Sequence, residues 1–264
     1  MENYKKYLVL AKDKSNLKEF AKRQESIFQL EHAKLDAFNT AGPTSQIYIS
    51  TSNKLFDLYI EEEEYEEALD IAKELFDLVK TSSDVATKSK VIVNLGIAYL
   101  KNGNIAKAKK VATEFTFHEL NPLYPQYCLF RATLAQVYKN KEEELEFLLH
   151  SYTSAIEKEQ KTEEISNILI AIALYYERNE MSEKAYLSYL EIFHKASSMA
   201  LEFTDEERFS FLIRLSRLAI ANNNTPLAIN LLTSSLPAMK EKLSRSHPLI
   251  KLAALTLKKT EKAN

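Results

Sequence analysis

Five histidines (His32, His118, His150, His194 and His247) and a single cysteine, Cys128, are the side chains in this 264-residue chain best suited to hold a metal or attack a substrate. A helical metal site needs two histidines about one turn apart, and neither H-x-x-x-H nor H-E-x-x-H occurs. His194, in the run F-H-K-A, reads as an ordinary interfacial or surface histidine. Cys128 follows Tyr127 and lies close to Phe130, which reads as a buried structural thiol; a reactive thiolate needs a cationic neighbour. No G-x-G-x-x-G, P-loop or G-x-S-x-G is present, and three glycines leave little from which to build a phosphate cradle. The acidic runs Glu61–Glu67, broken by Tyr65, and Glu142–Glu144 suit helix N-termini and solvated turns better than a hydrolytic pair. Arg214 and Arg217 point to binding instead. Three residues apart, they share a helix face, and guanidinium groups can clamp a carboxylate with two parallel hydrogen bonds. Their rival role is pairing with Asp205, Glu206 or a neighbouring helix, since surface pairs of that kind are common and weak.

The elements that would position these groups are helices. Apolar residues make up 45% of the chain and charged residues 27%, with only three Gly and six Pro. A β-rich or α/β chain of this length needs more turn glycines, so an all-α fold is expected. A net charge of −2 gives no global field for nucleic acid or anionic lipid. One cysteine excludes an intrachain disulfide framework and suits a reducing compartment. The apolar run 168–176 is too short to span a bilayer, so the cytosol is the expected location.

One stretch orders the rest. In residues 89–122, Leu95, Gly96 and Tyr99 form L-G-x-x-Y, and Ala108 follows nine residues after Tyr99, beyond the break 102–104. A small residue where helices touch, an aromatic one turn on, and an alanine where the second helix crosses the first make a helix–turn–helix repeat. Leu55, Phe56, Tyr59 and Ala68 repeat the spacing. So do Ile172, Ala173, Tyr176 and Ala185, with Ser182 as the expected N-cap, and Leu215, Ser216, Ala219 and Ala228. The third unit is placed on Leu134, Ala135 and Tyr138, with Phe147 where alanine is expected. The anchors Phe56, Gly96, Ala135, Ala173 and Ser216 then lie 40, 39, 38 and 43 residues apart. Phe56 is too large for close helix approach, so the first pair is expected to pack loosely or against the N-terminal helix.

These residues resemble the tetratricopeptide repeat (TPR) family over about residues 45–240. The long, irregular repeats are also similar to the TPR domains of Gram-positive peptide-pheromone receptors. The resemblance implies a right-handed superhelix of about five helix pairs. Residues 1–43 are expected as an N-terminal helical cap, 44–243 as the array and 244–264 as a C-terminal capping helix and tail.

In TPR arrays the first helix of each pair lines a concave groove. Counted from the anchors, the inward polar residues here are Asn53, Asp57, Asn94, Lys101, Gln136, Asn140, Asn167, Arg178, Arg214 and Arg217. Asn and Gln can pair with a peptide backbone as donor and acceptor, and Arg with a carboxylate. The clamp residues used for chaperone tails are not matched, because Ser50, Asn53, Asp57, Val93 and Ile97 hold those places. The expected function is a non-catalytic cytosolic adaptor that binds a protein or short peptide, without metal or cofactor, nucleic acid or membrane. Two alternatives stay open: a peptide-sensing regulator, like a quorum-sensing receptor, acting on a separate effector, and a self-assembling structural protein forming homo-oligomers.

Overall fold

A computed structural model describes residues 14–198 and 205–263; residues 1–13 of the expected N-terminal cap lie outside it. Every regular element among the described residues is an α-helix: α1 (Lys14–Ala41), α2 (Gln46–Glu61), α3 (Tyr65–Val79), α4 (Val85–Lys101), α5 (Ile105–Glu114), α6 (Tyr124–Val137), α7 (Lys141–Glu157), α8 (Thr162–Arg178), α9 (Ser182–Ser198), α10 (Asp205–Ala221), α11 (Thr225–Lys242) and α12 (Pro248–Ala263). The chain divides into two compact units, residues 1–144 and 145–264, so the boundary falls within the expected array.

In the first unit α1 packs on α2, and each later helix up to α6 packs on the one before. Helices two apart also meet, α2 with α4 and α4 with α6, which is the pattern of stacked helical pairs. One continuous core runs from Ile27 of α1 through Phe56, Ala68, Leu75, Val91 and Ala108 to Leu134 of α6. Phe56 is 2% exposed. Its ring is accommodated in a core that α1 helps to build, so the first pair closes against the N-terminal helix rather than packing loosely. In the second unit α8 to α12 pack in sequence and α10 also meets α12. Its apolar interior is centred on Tyr189, Ile192, Leu215 and Ala228, with a further cluster of Phe209, Ile213, Leu232, Met239 and Ile250 where α12 docks.

The backbone repeats more faithfully than the side chains. A residue with left-handed φ stands between the two helices of each pair: Glu63, Gly103, Lys139, Glu180 and Asn223, at 40, 36, 41 and 43 residue intervals. The next N–H donates back to a carbonyl five residues earlier. These bonds are Glu64 to Tyr59, Asn104 to Tyr99, Asn140 to Ala135, Met181 to Tyr176 and Asn224 to Ala219, at 2.7–3.0 Å. This is the Schellman closure, which satisfies carbonyls left open at a helix end. Side chains reinforce it. Asn102 at the end of α4 donates to the Tyr65 carbonyl at the start of α3, and Asn222 after α10 donates to the Ser182 carbonyl at 3.3 Å.

The common turn corrects the third repeat. Aligned on Lys139, the small anchor of α6 is Ala132, not Ala135, and Ala135 takes the place held elsewhere by Tyr59 or Tyr99. Tyr138 is 50% exposed, with Lys109 over its ring at 5.1 Å, so it does not serve as the packing aromatic. In the same alignment Glu144, not Phe147, takes the place that Ala68, Ala108, Ala185 and Ala228 hold in the other pairs, where each alanine is fully buried. Ser182 is likewise the first residue of α9 rather than its N-cap, and its hydroxyl receives the Asn222 amide at 3.2 Å.

Left-handed backbone disfavours any residue with a Cβ by about 1–2 kcal/mol, partly offset by the extra chain entropy glycine loses on folding. Glu180→Gly is therefore expected to stabilise the second unit by about 0.5–1 kcal/mol. Urea denaturation of the full chain checks this, and a loss of stability would show that the Glu180 side chain matters more than its backbone.

Candidate partner-binding face

The first helix of each pair leaves one narrow strip uncovered. On α2 the strip is Ser50, Lys54, Asp57 and Glu61, at four- and three-residue spacing. On α4 Lys90 and Ile97 are half-buried and Lys101 exposed along the same line, with Asn94 buried among them, and on α6 the strip is Thr133, Gln136 and Val137. The expected groove residues of the first unit fall on or beside these strips, but several are already engaged. Asn94 is 2% exposed and donates to Asn53 Oδ1 at 2.9 Å, while Asn53 donates to the Ile49 carbonyl. The pair ties α4 to α2. Asp57 faces Lys90 at 3.6 Å, a cation absent from the sequence-derived set although it stands one helical turn before Asn94. Lys101 lies 5.7 Å from the centre of the Tyr65 ring. Asn140 caps α7, accepting from the Glu143 N–H at 3.3 Å and donating to the Glu143 carboxylate at 2.9 Å. Gln136 is exposed.

The second unit carries the stronger charge. Asn167 and Arg178 are exposed on α8. On α10 the uncovered strip is Glu207, Ser210, Arg214, Arg217 and Ala221, so the two arginines do share one face. Arg214 donates to Glu177 of α8 at 2.9 Å, and the same carboxylate oxygen receives the Tyr189 hydroxyl at 3.3 Å. Burial of Tyr189, with the carboxylate beside it, raises its phenol to about 12. Burial works against the Arg214 charge, but Tyr189 and Glu177 together hold its pKa above the ordinary value. Asp205 is taken by Lys242 at 2.9 Å, and Nε2 of His247 lies 3.7 Å from the Glu206 carboxylate. Arg217 is exposed and has no hydrogen-bond or ion-pair partner among the described residues. Beside α10, the helix α12 exposes Lys251, Leu255 and Lys258 at spacings of four and three. The sequence holds that signal, but assigned to a cap it draws no attention.

Cys128 is fully buried, and burial raises its thiol to about 11 although Tyr124 and Arg131 pull the other way. That keeps it a thiol rather than a nucleophile at neutral pH. Among the described residues no group of three His, Cys, Asp or Glu side chains is placed to hold a metal ion, and no helix is long and apolar enough to cross a membrane.

Neither family models nor curated proteins match the sequence. Solved structures do. The crystal structure of BtubC (BKLC) from P. vanneervenii aligns over 86% of this chain and 94% of its own, with a TM-score of 0.61 at 12% identity. A tetratricopeptide repeat protein from Parabacteroides merdae aligns over 94% of this chain and 84% of its own, with a TM-score of 0.54 at 16% identity. The fold is that of a tetratricopeptide-repeat protein. The TPR likeness accounts for the paired helices, the fully buried alanines at their crossings and the order in which helices meet. At these identities it extends to the fold alone.

Proposed function

We propose that this TPR-like chain is a non-catalytic adaptor that holds a segment of a partner protein on the strips left open on α8 and α10 of its second unit. The observation that carries the reading is the α10 strip. Arg214 is held in place by Glu177 and Tyr189, and Arg217, one turn on, projects from the same face with no partner among the described residues. A positioned guanidinium next to an available one suits a carboxylate on an extended chain. Asn167 and Ser210 add uncharged hydrogen-bonding groups on the strips of α8 and α10.

The test compares the wild type with Arg214→Glu, Arg217→Glu in affinity capture from host lysate, followed by titration of the purified partner. Central interface arginines contribute about 2 kcal/mol or more, so affinity should fall at least about 30-fold. Arg217 is exposed without a partner among the described residues, so Arg217→Glu alone should leave helicity and melting temperature unchanged and should still weaken capture, which separates lost binding from the like-charge contact that Arg214→Glu makes with Glu177. Equal capture by the two proteins would place the binding surface elsewhere.

A further inference from the structure

Basic charge is gathered in the last three helices. Residues 205–263 carry ten Lys and Arg against five Asp and Glu, although the net charge of the whole chain is −2. Within α12, residues 248–260 include three lysines and no acid. The contacts between α10 and α12 fix their register. Nε2 of His247 lies 3.7 Å from the Glu206 carboxylate, and Phe209, Ile250 and Ala253 share one cluster against which Leu212 packs. Glu206 and His247, Phe209 and Ile250, and Leu212 and Ala253 are each 41 residues apart, so the two helices run in the same direction at that offset.

The same offset sets Lys251 level with Ser210, Leu255 with Arg214 and Lys258 with Arg217. Burial agrees with it: Arg214, Arg217, Leu255 and Lys258 are all exposed, while Ala219 and its counterpart Thr260 are both buried. Packed helices lie about 8–10 Å apart, so Arg217 and Lys258 flank a shallow groove. Along α12, at 1.5 Å per residue, Lys251 and Lys258 are about 10 Å apart. Between them stands Leu255, 57% exposed. Arg217, Lys251 and Lys258 have no hydrogen-bond or ion-pair partner among the described residues. The acids of α10 are confined to its first turn, Asp205 to Glu207, where Asp205 is already held by Lys242. The groove therefore joins an apolar centre to cations whose charge nothing nearby offsets. Phe209 and Phe211 of α10 are buried and α12 has no aromatic residue, so the face offers nothing on which nucleic-acid bases could stack.

We propose that α12 is the second wall of the site on α10, and that the partner segment sets a large apolar side chain on Leu255 with acidic residues on both sides of it, against Lys251, Lys258 and Arg217. This rests on the reading of α10 as a partner-binding strip and adds the chemistry of the partner. An extended segment advances about 3.3 Å per residue, so carboxylates about three residues apart span the two lysines. The cations select the acidic flanks, and salt should weaken the complex.

The experiment pans a random phage-displayed peptide library on the purified full chain. Enriched peptides are then titrated, as fluorescein conjugates, against wild type, Lys251→Ser/Lys258→Ser, Leu255→Ala and Arg217→Glu. The expected result is a set of peptides with Leu, Ile, Phe or Tyr flanked on both sides by acidic residues. Their affinity should fall at least about tenfold in the lysine variant and in Arg217→Glu, at least about threefold in Leu255→Ala, and further with added salt. All four side chains are exposed, so unchanged helicity and melting temperature identify a binding effect. Three results would overturn the proposal: enrichment of no such pattern, binding unaffected by the lysine changes, or a single-stranded oligonucleotide that binds wild type more tightly than the enriched peptides. Capture from host lysate with the same variants tells the two walls apart. A partner lost by Arg217→Glu and kept by the lysine variant leaves the α10 strip standing and removes α12 from the site. A partner kept by Arg217→Glu removes the α10 strip, and the proposal with it.

Discussion

Gly96→Ala should destabilise the first unit by about 1–3 kcal/mol, the range for extra atoms forced into a packed core. Helix propensity alone argues the other way, since alanine is favoured over glycine by about 1 kcal/mol inside a helix. Packing decides the sign. A Cβ at Gly96 would stand 2.5 Å from Cζ of Phe130 and 2.8 Å from both flanking ring carbons. Phe130 is 2% exposed and belongs to the same core, so its ring has little freedom to withdraw. The glycine is what lets α6 approach α4 this closely. Urea denaturation monitored by circular dichroism measures the loss. In the Gly96→Ala background, Phe130→Leu should recover part of it, and a double-mutant cycle should show coupling of at least about 0.5 kcal/mol. A more stable Gly96→Ala protein would show that α6 moves aside at little cost.

Leu232→Ala should cost the second unit about 2–5 kcal/mol, the range for a large aliphatic side chain removed from a core that cannot fully collapse. Leu232 is fully buried on α11, in the cluster formed with Phe209, Ile213, Met239 and Ile250. α12 joins that cluster through the buried Ile250 and Ala253, with the partly buried Leu249 and Leu257 packed against it. The defect should therefore show as faster amide hydrogen exchange in α12 as well as in lower global stability. Leu255→Ala is the control. Leu255 lies on the same helix at 57% exposure, so its loss should change stability by less than about 0.5 kcal/mol. Similar costs for the two substitutions would mean that the cluster around Leu232 does not hold α12 in place.

Much of the fold is legible in the residues, for identifiable reasons. Gly96, Tyr99, Gly103 and Ala108 each meet a strict local demand, and the same demands recur at Ala68, Ala185 and Ala228. The α1 terminus is legible because Gly42 adopts φ 84° and Pro43 cannot continue a helix. The third pair misleads because Tyr138 offers an aromatic at the expected spacing, while the true crossing position holds Glu144, a residue type that is rarely buried. The left-handed turns at Glu63, Lys139 and Glu180 give no signal, since neither Glu nor Lys favours that conformation. On the open strips, spacing places Arg214 and Arg217 on one face. It cannot tell that Asn94 is turned inward to Asn53, or that Asn140 is used as a cap, because both outcomes depend on the neighbouring helix.

The repeated turn has a consequence for how such a chain can grow. Each closure is completed by backbone bonds within six residues, so it does not depend on what precedes or follows it. A segment running from one of these within-pair turns to the next therefore carries its own backbone closure, so whole repeats can be duplicated, lost or exchanged without redesigning the joints. The intervals between these residues differ by up to seven, about two helical turns, while the closure itself stays the same. Within this chain the modules differ in length while the joint between their helices stays the same, which leaves the number of repeats as the dimension most open to change.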